Sequence, residues 1–213
     1  MSEKVNISLG RNCGVAFALH AHGVSVESSL LNWAYILDDI SLFKAVENPQ
    51  NAFSEGGEWV NGFNFKCRSL DVLFHGRRNP ENANGGDPGT TEIQAALAEL
   101  KSRTNYLARK FSSQLSCEDV NAFLKPPREF QESGEIRDFS LRLRKLIDTK
   151  YPSNNVHIFV VTEGGDYRIE PIEGSACLFM ANISSYTHDS TSNQFTDQAM
   201  REWKNIFDFA CCV

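Results

Sequence analysis

An α/β layered domain is the fold class this sequence predicts, and three observations predict it. Residues 156–161 and 176–181 are near-continuous apolar runs of strand length, as in strands covered on both faces. Segments with apolar residues at helical spacing alternate with such runs, the pattern of a parallel or mixed sheet with helices on both faces. Residues 56–75 are different in texture: short alternating stretches around Gly56-Gly57, Trp59, Phe65, Val72 and Phe74, which read as a small β-hairpin insertion.

The elements follow in order. Val5, Ile7 and Leu9 alternate with polar residues, as a half-buried strand does. Asn12 is a suitable N-cap, and Val15, Ala16, Phe17 and Leu19 then give an apolar helical face that closes at Gly23. Residues 28–37 are apolar with polar punctuation and lead to a helix over 40–47, capped by Asp38 or Asp39 and ended by Pro49. His75 closes the β region. Residues 79–91, rich in Asn, Gly and Pro, predict a mobile loop lying over the site. Helices are predicted over 91–115 and 136–150, with a short strand at 120–124 between them, stopped by Pro126-Pro127. A polar loop over 184–193 precedes a last helix carrying Met200, Trp203, Ile206 and Phe207. The expectation is one domain over 1–213, Rossmann-like in its layering, with the functional loops at the carboxyl ends of the strands.

Composition bounds the function classes. The chain has 213 residues, 41% hydrophobic and 23% charged, which is ordinary for a globular protein. A net charge of −6, with no Lys/Arg stripe interleaved with aromatics, argues against nucleic acid as a partner. Arg103, Arg109 and Lys110 read as a solvated helix face. No stretch approaches the roughly 20 apolar residues of a membrane span, and Met1-Ser2-Glu3-Lys4 runs straight into the first strand without a signal peptide. A cytoplasmic protein is expected, with no membrane partner. The six cysteines are Cys13, Cys67, Cys117, Cys177 and the adjacent Cys211-Cys212, without Cys-x-x-Cys or zinc-ligand spacing, so free thiols and no metal are expected. No phosphate-cradling glycine motif is present, and no cofactor is expected.

Cys13 is the candidate nucleophile. In Ser8-Leu9-Gly10-Arg11-Asn12-Cys13-Gly14 it falls at a strand-to-helix turn, in the first helical turn, where free N–H groups and the helix dipole favour a thiolate. Small residues around it leave the backbone N–H groups of Gly10, Asn12 and Gly14 as candidate oxyanion donors. A buried structural cysteine is the competing reading. His188 and Asp189, in a polar loop after a predicted strand, are an alternative base and orienting group. His20 and His22 read as helix-surface residues and His157 as a core histidine.

The motif Ser8-Leu9-Gly10-x-x-Cys13-x-x-Ala16-x-x-Leu19, followed by Gly23, resembles the opening of a largely bacterial family described as papain-like cysteine peptidases. Leu31-Asn32-Trp33 stands where that family has Phe-Asp-Trp, and Phe74-His75-Gly76 where it has an aromatic residue and a histidine, usually followed by Asp. Tyr106-Leu107-Ala108-Arg109 and Lys150-Tyr151-Pro152 match its later segments in order. The resemblance implies a cysteine-dependent, peptidase-like hydrolase with Cys13 as nucleophile, His75 as base, and Asn32, in place of the family's Asp, orienting the imidazole; Asp71 is another candidate for that third role. Two other readings stay open: a non-catalytic module binding an anion or sugar phosphate at the Gly10–Cys13 turn, and a transferase acting on surface polysaccharide.

Overall fold

The computed structural model describes residues 4–11, 13–25, 28–32, 34–60, 64–75, 90–126, 130, 132–152, 155–184, 188–189 and 194–213. Its main sheet comprises β1 (Val5–Ser8), β6 (Asp119–Leu124), β7 (Asn155–Glu163), β9 (Leu178–Ile183) and β8 (Arg168–Pro171), in that spatial order. The first four run parallel; β8 pairs antiparallel to β9 at the edge. The four parallel strands advance in one direction, without the reversal that marks a doubly wound dinucleotide-binding sheet.

Helices cover both faces. On one, α1 (Cys13–Ala21) and α5 (Asp197–Cys212) bring Val15, Leu19, Trp203 and Phe207 against Phe123, Phe159 and Phe179 of the sheet. On the other, α3 (Thr90–Leu115) and α4 (Ser133–Lys150) bring Phe111, Phe139, Leu143 and Ile147 against Val120, Ala122, Ile158 and Val160. Alternate residues of β6 thus feed different cores, as the two-residue period of a strand requires. The α4 helix starts three residues before the predicted 136 because Glu132 and Glu135 form a reciprocal capping box.

The predicted hairpin insertion is a four-stranded antiparallel sheet. Its order is β2 (Ala34–Ile36), β5 (Val72–His75), β4 (Asn64–Cys67), β3 (Gly57–Val60). The extra strand, β2, pairs Ala34 with Phe74 and Ile36 with Val72, a partnership across almost forty residues that local alternation does not reveal. Between β2 and β3 lie α2 (Asp39–Glu47) and a 3₁₀ turn, Pro49–Asn51. Asp38 is the N-cap, its carboxylate accepting from the Ser41 N–H at 2.7 Å. Phe65, Cys67, Val72 and Phe74 share one hydrophobic cluster with Ile7, Val120 and Phe111, so the small sheet packs into the same core as the large one.

Two further features are local. The strand expected at 120–124 is β6, in the interior of the main sheet, and the predicted polar loop after β9 includes β10 (His188–Asp189) paired with β11 (Gln194–Phe195). The loop predicted over 79–91 lies largely outside the described residues, and α3 begins at Thr90. Among the described residues no helix is long and apolar enough to cross a membrane.

Candidate active site

Two elements of different sheets bring the candidate nucleophile and base together. The ladder of β1 with β6 is extended by the Leu9 N–H, which donates to the Phe123 carbonyl at 2.8 Å. The chain then turns through Gly10 (φ +82°) and Arg11 (φ +78°). Only glycine fits the first of these comfortably: a Cβ there would lie 2.9 Å from Ile36 Cδ1 and 3.1 Å from the Leu31 carbonyl oxygen. The Arg11 carbonyl accepts from the Ile36 N–H at 3.2 Å, tying the turn to β2, and the Arg11 guanidinium donates to the Pro126 carbonyl beyond β6. Cys13 emerges as the first residue of α1, at the carboxyl end of β1, half-buried and free of any disulfide. The cap residue Asn12 lies outside the described residues; Gly14 sits half-buried in the first turn.

His75 ends β5 and pairs with Asn64 of β4, one residue beyond the last pairing of β5 with β2, Phe74 with Ala34. Its Nε2 lies 3.4 Å from the Cys13 Sγ, within sulfur hydrogen-bond range. The Arg103 guanidinium, from α3, donates to the His75 main-chain carbonyl at 3.1 Å. Arg103 is therefore not simply part of a solvated face; the helical periodicity gave no sign of this contact, which depends on where β5 ends.

The electrostatics differ from the expectation at the helix start. Burial pushes the Cys13 thiol above its ordinary value, against a smaller lowering from its own backbone hydrogen bond. Burial, and secondarily the Arg103 charge, push His75 below its ordinary value. Both shifts favour the neutral forms. The helix start supplies donors, but partial burial of the sulfur outweighs them.

The other candidates are placed as follows. Asn32 is 7% exposed, two residues before the strand that pairs with β5, and its Oδ1 has no hydrogen-bond partner among the described residues. Leu31 beside it packs on Gly10. Asp71 is not placed to orient the imidazole: it lies in the turn before β5, at the opposite end from His75, paired with Lys66 at 2.9 Å. His188 and Asp189 form β10, reached from β9, which is three strands from β1, or about 14 Å at ordinary strand spacing; their side chains lie outside the described ones. His22 packs edge-on against Phe207, with ring centroids 5.4 Å apart, and His20 is exposed.

A crevice of about 10 Å³, room for about one water, adjoins the Gly10–Arg11 turn, with Leu9, Ile36, Leu37 and Leu42 as apolar lining and Arg11, Asp38 and Lys125 at its polar side. A cavity of about 210 Å³ lies far from it, between the first turn of α4 and the edge strand β8. No group of three or more metal-ligating side chains occurs among the described residues. Comparison of the chain with family models, curated proteins and solved structures found no match.

Proposed function

We propose that this chain is a cysteine-dependent hydrolase or acyltransferase of peptidase-like chemistry, with Cys13 as nucleophile and His75 as base. The observation that supports this reading is the 3.4 Å approach of Nε2 to Sγ at the carboxyl end of a parallel strand. The layering is Rossmann-like in that sense, with chemistry gathered at a strand-end turn. The neutral resting pair makes His75 a base in waiting. As Sγ bonds to an acyl carbon, its proton passes to Nε2. The imidazolium then gives that proton to the leaving group, and a water deprotonated by the same nitrogen splits the thioester and regenerates the thiol. The N–H groups of the first turn of α1 would face developing charge on the acyl oxygen, and Asn32, whose buried Oδ1 has no partner among the described residues, is the side chain proposed to turn toward the imidazole. Six free cysteines suit a reducing compartment, the cytoplasm.

The non-catalytic anion-binding reading is favoured by one feature: burial pushes the Cys13 thiol above its ordinary value, away from the thiolate. Iodoacetamide labelling of Cys13, followed residue by residue from pH 5.5 to 9, separates the two. The catalytic reading expects Cys13 to label well below pH 8, with a rise on an acid-side inflection that belongs to His75. His75→Ala should slow it roughly 100-fold at neutral pH, the lower end of what a positioned base contributes. Labelling of Cys13 that is unchanged in His75→Ala, and no faster than that of half-buried Cys117, would overturn the proposal.

A further inference from the structure

The side chain on α3 that meets the active-site strand has a role the helix pattern hides. We infer that Arg103 is the positioning residue of the Cys13–His75 pair: by holding the main-chain carbonyl of His75, it fixes the end of β5 so that the imidazole faces the sulfur. The inference rests on the catalytic reading given above. His75 is the last residue of its strand, so the ladder fixes it less firmly than Phe74, whose register partners are Ala34 on one side and Phe65 on the other. The 3.1 Å bond from Arg103 Nη2 ties that terminal residue to a 26-residue helix. That helix buries Ala108, Phe111 and Leu115 in the core, so the guanidinium is carried on a rigid element. A guanidinium presents several donors in a fixed fork, which a flexible ammonium does not, so Arg rather than Lys suits the role.

The same geometry puts a cation beside the imidazole. Of the groups facing His75, Cys13 on α1 is neutral when its thiol is protonated, Asn64 on β4 carries no charge, and the Lys66–Asp71 pair sits at the far end of the small sheet. Burial is the first cause opposing protonation of His75, and Arg103 is the charge that adds to it. Tied down and kept neutral, the imidazole is held as a proton acceptor.

The test uses the full chain with Arg103→Met, Arg103→Lys and His75→Ala, and two readouts: the NMR pH titration of the His75 ring proton and the iodoacetamide labelling rate of Cys13. Arg103→Met should move the His75 inflection upward and slow Cys13 labelling at neutral pH about tenfold, part of the way to His75→Ala. Arg103→Lys should keep the inflection close to wild type, because the charge remains, yet still slow labelling, because the fork is lost. Should Arg103→Met fail to fold, Arg103→Lys and Arg103→Gln carry the same comparison. Wild-type titration and labelling in folded Arg103→Met would overturn the inference, and so would full labelling in Arg103→Lys. If His75→Ala leaves labelling untouched, the catalytic reading itself fails; the titration still reports whether Arg103 sets the state of the imidazole.

Discussion

In the large sheet, β7 is buried at every position from 156 to 161, whereas β4 and β5 of the small sheet alternate half-buried with buried residues. Both sheets contribute a histidine, and the contrast between them is instructive. His157 lies in the strand covered on both faces, and burial pushes its imidazole below the ordinary value. His75 lies on the half-exposed rhythm of a one-sided sheet, next to buried Phe74, and reaches a sulfur. Burial opposes the charged form of both imidazoles, so what separates them is not desolvation but the sulfur that His75 reaches. A one-sided strand offers every second position to such a contact. The Cys13–His75 contact therefore arises where a helix leaving the two-sided sheet meets the end of an interior strand of the one-sided one.

The contrast can be broken most forcefully by removing an aromatic from each sheet. Phe123 stacks on Phe159 with centroids 5.0 Å apart and meets Phe207 edge-on at 5.2 Å. Phe65 stacks on Phe53 at 5.0 Å and meets Trp59 edge-on at 5.4 Å. Each change to Ala should cost about 3–5 kcal/mol in urea denaturation. Only Phe65→Ala should also uncouple Cys13 labelling from His75, since it loosens the sheet that carries the base. Equal labelling in the two variants would show that the small sheet does not hold the imidazole in place.

A smaller effect is expected at the joint between the sheets. Gly10→Ala combines a positive φ with a 2.9 Å approach to Ile36 and should cost about 1–3 kcal/mol. Its labelling should slow even at temperatures where the protein stays folded; an unchanged rate would separate the turn from the site. Asp38→Ala removes the α2 cap, whose carboxylate accepts from Ser41 N at 2.7 Å and Ser41 Oγ at 2.6 Å, for about 1 kcal/mol.

The smallest expected effect is acidification. His22, His75 and His157 are all pushed below their ordinary value, chiefly by burial. The folded chain then binds fewer protons than the unfolded one. The stability these groups contribute is complete above about pH 6.5 and is lost as pH falls through their lowered values. The Tm should therefore drop between pH 7.5 and pH 5, and His157→Gln should flatten that drop. A Tm that holds steady or rises on acidification would contradict the burial assigned to all three rings.

Much of the scaffold was legible because its signals are local. The apolar run at 156–161, the helical spacing in 136–150 and the Asp38 cap each depend on residues a few positions apart, and each has its counterpart in the structure. The glycine before Cys13 also spoke locally. The fourth strand of the small sheet did not, because β2 acquires its identity from pairing with β5. Arg103 was hidden for the same reason, since nothing in a helix reveals which carbonyl its side chain will meet. The state of Cys13 was misjudged because a helix start is visible in the chain while burial is not.

The sequence by itself determined the α/β layering, the strand–turn–helix setting of Cys13 and the scatter of six cysteines without Cys-x-x-Cys or zinc-ligand spacing, all set by residue type and short-range period. Tertiary structure alone decided that the His75 imidazole comes within 3.4 Å of the Cys13 sulfur, that Asp71 belongs to Lys66, and that Arg103 grips the end of β5. Those choices depend on contacts between residues tens of positions apart, where chain order carries no distance and only the packing of two sheets against one core sets it.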